Sequence, residues 1–165
     1  MNSKKIIVGV AMTAILVGIG IILMGKNATA VPLVFTDGGY DADMQAIYDT
    51  FYKNDIEEFA QEFPESAQKE AIIQFTRYDL NNDGVEEVFA YAHNSAIYCG
   101  TLGCNLDLYT VENNTWRKVG DWIAIYPVLP NGESAILIES TTTNGYRDIS
   151  FVEGTTFKWN GEKYD

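Results

Sequence analysis

The sequence predicts an α+β fold: an N-terminal membrane helix, one or two amphipathic helices, then a mainly antiparallel β-sheet of about seven strands. Three observations carry this reading. A long apolar run opens the chain, apolar residues then recur at helical spacing, and from Ile72 onward short runs rich in β-branched and aromatic residues alternate with Asn-Gly-type turns. Helices first and hairpin-linked strands after argue α+β with an antiparallel sheet. The boundaries follow: residues 1–30 form a signal-anchor or signal peptide, 31–40 a linker, and 41–165 a single domain.

Residues Ile6 to Met24 are 19 uncharged, mostly apolar positions preceded by Lys4 and Lys5. At about 1.5 Å per residue, such a helix nearly spans a hydrocarbon core of about 30 Å. The run is long for a signal peptide. Ala28-Thr29-Ala30 offers a small-x-small cleavage site, but Lys26 lies between it and the apolar run. The balance favours an uncleaved anchor, with membrane contact through residues 6–24; the alternative is secretion to the periplasm after cleavage at Ala30. Either way Lys4 and Lys5 stay inside and the rest faces outward.

The linker, Val31 to Tyr40, holds Pro32 and the pair Gly38-Gly39. Beyond it Met44, Ile47, Tyr48, Phe51, Ile56, Phe59, Ala60 and Phe63 recur three to five residues apart, one apolar helical face. Asp41 and Asp43 suit a helix start, a break is expected near Asn54-Asp55, and Pro64 ends the run. Ser66 to Ala71 reads as a further turn of helix. Strands are predicted over 72–78, 85–92, 105–111, 116–122, 134–140, 147–152 and 155–159, with 123–129 extending the fourth or standing alone and a short terminal strand after Asn160-Gly161. The turns have no fixed period and the acidic loop occurs once, which excludes a multi-blade propeller.

All 23 acids but only 8 of the 11 bases lie in residues 31–165, a formal charge of −15. Such a domain repels nucleic acid and anionic headgroups and attracts basic proteins or divalent cations. Its abundant apolar residues are enough for a core, which excludes disorder. The two cysteines, Cys99 and Cys104, flank Gly-Thr-Leu-Gly and are expected to form a disulfide in an oxidising compartment.

Asp79-Leu80-Asn81-Asn82-Asp83-Gly84-Val85-Glu86-Glu87 places oxygen-bearing side chains at 79, 81, 83 and 87 around a glycine. With the Val85 carbonyl, this spacing can wrap one Ca²⁺ in a structural site. It is no EF-hand, since Ala90 stands where a bidentate glutamate is required. A hairpin turn built on Asn-Asp-Gly explains the same residues without metal.

Three features succeed one another: the acidic loop, Cys99-Gly100-Thr101-Leu102-Gly103-Cys104, and Trp159-Asn160-Gly161-Glu162-Lys163-Tyr164 after Thr143 to Ile149. This succession resembles small exported bacterial proteins, largely uncharacterised, with an FG-GAP or integrin-like DxNxDG calcium loop, a CGxxGC loop and a WNGxxY end. The resemblance covers about residues 72–165. It implies the fold topology and export, and carries over no catalytic residue.

The residues themselves make no case for an enzyme. His93 is the lone histidine, the cysteines are best explained by each other, and Glu86 and Glu87 point to opposite faces of a strand. The expected function is an envelope-facing protein-binding module, in its sharpest form an inhibitor or immunity protein against a basic cell-wall hydrolase or toxin. Leu102, Tyr98 and Tyr146 are its candidate contact residues. The alternative is a non-inhibitory, calcium-stabilised envelope, adhesion or assembly component.

Overall fold

Asp41 starts the first helix, its Oδ1 accepting the N–H groups of Asp43 and Met44 at 3.0 and 2.9 Å. This carboxylate cap satisfies two otherwise orphaned donors. Helix α1 runs Ala42–Phe51 and α2 runs Lys53–Glu62, broken at Tyr52 rather than at Asn54-Asp55. The protein is seen in a computed structural model that describes residues 29–36, 39–64, 72–93, 96–152 and 154–165. The expected membrane helix over residues 6–24 and the turn over 66–71 lie outside the described residues. Among those described, no helix is long and apolar enough to cross a membrane.

The predicted α+β fold with one sheet of about seven strands requires correction. Among the described residues the chain is mainly β, with nine strands in two sheets and only the two short helices. Strands β2 (Ile72–Tyr78), β3 (Glu87–His93), β4 (Cys99–Gly100), β5 (Gly103–Glu112) and β6 (Thr115–Ile125) make one antiparallel sheet. Strands β1 (Val31–Pro32), β7 (Ile136–Thr143), β8 (Tyr146–Phe151) and β9 (Thr156–Phe157) make the other. Period-two patterning shows which segments are strands but not which of them pair. The split falls after β6, where the loop through Pro130 and Gly132 breaks the ladder.

The two cores explain the layering. One lies between the sheets and unites Phe89, Leu106, Leu108 and Trp122 of the larger with Ile136, Ile138 and Ile149 of the smaller. The other joins Ile47 and Tyr52 of the helical layer to Ile73, Phe75, Val88, Ala90 and Tyr109. The larger sheet is therefore covered on both faces. Six consecutive residues of β3, Glu87 to Ala92, are buried, as a central strand with two covered faces requires. The segment expected to be a linker contributes β1 and Leu33, which is buried against the same inter-sheet core.

Candidate protein-binding site

The acidic loop does a structural task first. Asp79 accepts the N–H groups of Asp83 and Gly84 at 3.2 and 3.0 Å, and Asn81 Oδ1 accepts that of Asp83 at 3.0 Å. Val85 donates its N–H to Asp83 Oδ1 at 2.8 Å, and Asn81 donates its side-chain amide to Asp83 Oδ2 at 2.8 Å. Asn82 and Gly84 take positive φ, 59° and 88°, which an asparagine and a glycine tolerate. These bonds close the turn from its own groups.

Glu87 stands apart from them. It is buried, its Oε2 accepting the Leu80 N–H at 2.8 Å and its Oε1 the Thr110 hydroxyl at 3.2 Å. Burial pushes its pKa up, against the lowering pull of those hydrogen bonds. Among the described residues no three His, Cys, Asp or Glu side chains form a metal-holding group. Asp79, Asn81 and Asp83 share the turn, while both Glu87 oxygens accept from Leu80 and Thr110. Leu80 is buried in the inter-sheet core and its carbonyl accepts the Arg147 N–H at 2.8 Å. Arg147 in turn donates to the Tyr78 hydroxyl at 2.7 Å. The loop thus pins one sheet to the other.

The expected cysteine pair is at bonding distance, with Sγ atoms 2.04 Å apart. Cys99 pairs with Cys104 and Gly100 with Gly103 across a two-residue ladder, so the bond sits at the base of a tight hairpin. Leu102 at its tip is 73% exposed. The other two candidate contacts sit differently. Tyr98 packs edge-on against Tyr52 and its hydroxyl donates to Asp55 at 3.2 Å. Tyr146 is stacked on Trp159 with ring centroids 4.4 Å apart. Leu102 is free to meet a partner, whereas the tyrosines already serve as packing.

Sequence reasoning missed two features. The first is a buried polar cluster under the helices. Tyr52 donates to Asp107 Oδ2 at 2.6 Å, Lys118 Nζ lies 3.0 Å from the same oxygen, and the Tyr109 hydroxyl lies 2.9 Å from that of Tyr52. Asp107 Oδ1 is buried with no hydrogen-bond partner. Burial pushes the Tyr52 and Tyr109 pKa values far above the ordinary phenol value, and the Asp107 charge adds to it. The signal was an aspartate within the apolar run of β5, but nothing in the sequence pairs it with Tyr52.

The second is an apolar groove of about 410 Å³, lined by Ile125, Tyr126, Val128, Leu129, Phe151 and Val152 among others. Its rims hold exposed apolar side chains: Tyr126, Val128 and Val152 are each half-exposed or more. The Tyr126 hydroxyl donates to the Thr101 carbonyl at 3.3 Å, which ties the groove to the disulfide-closed hairpin. Leu102 and the groove therefore belong to one surface. Apolar residues clustered in the open mark interaction sites more often than chance exposure. Comparison with known proteins adds no family: the chain matches no protein-family model, no curated protein and no solved structure.

Proposed function

We propose that the protein is an envelope-facing protein-binding module that engages a basic partner outside the cytoplasm, as an inhibitor or immunity protein against a cell-wall hydrolase or toxin. The observation that carries the reading is Leu102, held 73% exposed on a covalently closed hairpin of a strongly acidic domain. An apolar side chain on a rigid projecting loop loses little entropy on binding and fits a partner's cleft. The surrounding negative charge speeds the encounter with a basic surface.

The test is affinity capture from envelope extract with the full chain, repeated with Leu102→Asp. A basic hydrolase or toxin should be enriched by the parent and lost tenfold or more with the variant, and overproduction should protect cells from that protein. Enrichment of none, with no protection, drops the inhibitor reading. The oxygen-bearing side chains of Asp79, Asn81 and Asp83, gathered in one turn, support a second reading, a non-inhibitory, calcium-stabilised envelope, adhesion or assembly component.

A further inference from the structure

We infer that the groove beside the ends of β6 and β8 is a docking pocket for one aliphatic or aromatic side chain of a basic protein, flanked in that partner by lysine or arginine. This rests on the binding-module reading and names what enters.

The pocket is preformed. Its outer wall is the loop joining β6 to β7, closed by hydrogen bonds from Leu129 N to Glu133 O at 2.8 Å and from Ala135 N to Pro127 O at 2.8 Å. Ser134 fastens the loop's base, its hydroxyl 2.6 Å from the Leu33 carbonyl and 2.8 Å from that of Ile136. A wall held this way is ordered before binding, and about 410 Å³ lies within the range of apolar ligand clefts, room enough for one side chain. The residues lining it carry no charge.

Charge decides the occupant. Lys53, Arg77, Arg117 and Lys118 each lie within ion-pair distance of a carboxylate of this chain, and none lines the groove. Glu133 is exposed in the loop that forms the wall. A second copy, carrying the same −15 over residues 31–165, would be repelled. A basic partner gains both the apolar burial and the opposite charge around it. Leu102 lies on the neighbouring hairpin, so the pocket and the tip can grip one partner at two points.

The experiment uses the full chain in zwitterionic lipid nanodiscs, methyl-labelled for NMR, titrated with acetylated Lys-Lys-Phe-Lys-Lys amide. Saturable shifts are expected at the methyls of Ile125, Val128, Leu129 and Val152. Replacing the peptide's Phe with Ser, or its lysines with glutamates, should each weaken binding tenfold or more. The neutral double variant Val128→Ser/Val152→Ser should do the same, and both positions are exposed enough for the fold to survive. Equal binding of the Ser peptide, unchanged binding to the double variant, or shifts confined elsewhere would overturn the pocket. So would sedimentation showing that a second copy fills the groove. Peptide binding intact with no basic protein captured from envelope extract would sink the inhibitor reading and leave the pocket standing.

Discussion

Three acids, the buried Glu87 and Asp107 and the exposed Asp41, show how single residues set stability here. Glu87 lies between the sheets, and its pKa is raised chiefly by burial. The folded state then holds that proton to a higher pH than the unfolded chain does. Stability contributed at Glu87 is greatest below the unfolded pKa and falls as pH rises through the folded one. Asp41 has the opposite sign: its pKa is lowered, first by the Met44 N–H, so its contribution is lost on acidification. We therefore predict that Glu87→Gln flattens the fall in urea midpoint as pH rises above the ordinary carboxylate range, relative to the parent. An unchanged slope would mean that Glu87 is not the group responsible. At Asp107 the Tyr52 hydroxyl supplies the shortest bond to a carboxylate whose other oxygen already lacks a partner. Tyr52→Phe should cost about 1.5–3 kcal/mol in chemical denaturation, the range for a hydrogen bond to a charged group. Neither environment is legible in the sequence. Alternate spacing put Glu87 among the loop oxygens, but whether its carboxylate faces the turn or the core depends on Leu80 and Thr110, one of them on another strand.

At the scale of elements, local chemistry was legible where a turn needs a particular backbone. Asn113 and Asn114 both take positive φ between β5 and β6, as do Asn144 and Gly145 between β7 and β8. Paired left-handed residues match the twist of the flanking strands, and Asn-Asn and Asn-Gly are dipeptides that adopt them readily. Elements that depend on partners were not legible. The two-residue strands β1 and β4 carry no period of their own, and β6 runs on to Ile125 only because Cys104 of β5 pairs opposite it. The disulfide hairpin illustrates the consequence. With only two paired positions, its shape depends on the covalent bond, and closing so short a loop is worth about 2 kcal/mol in the chain-entropy model. Cys99→Ser/Cys104→Ser should lower stability by about that amount. Thiol labelling of the denatured parent without reductant should find no free cysteine. Two reactive thiols per chain would contradict the pairing. Gly120 is the corresponding constraint on β6: a Cβ there would stand 2.4 Å from the Trp122 ring and 3.0 Å from Leu108 Cβ. Gly120→Ala should destabilise by about 1–3 kcal/mol through overpacking of the inter-sheet core.

For the whole molecule, composition gave the charge but not its arrangement. The sequence reading also combined into one sheet strands that fold as two, because pairing is decided by which faces can be buried together. The outcome is a sheet covered by helices on one face and by a second sheet on the other, with the groove and the Leu102 hairpin as exposed apolar features of one surface. These two features make opposite demands on salt. Long-range attraction from a domain of −15 is screened as the Debye length falls from about 10 Å at 0.1 M to about 3 Å at 1 M. Apolar contacts in the groove and at Leu102 are not. Association with the captured basic partner should therefore slow by at least tenfold over that range while dissociation changes little. Neutralising exposed acids such as Asp121→Asn and Glu133→Gln should lower the association rate, whereas Leu102→Asp should mainly speed dissociation. Surface-plasmon kinetics on the full chain separates the two. If salt changed only the dissociation rate, the acidic surface would be making short-range contacts rather than steering, and the division of labour between charge and groove would have to be abandoned.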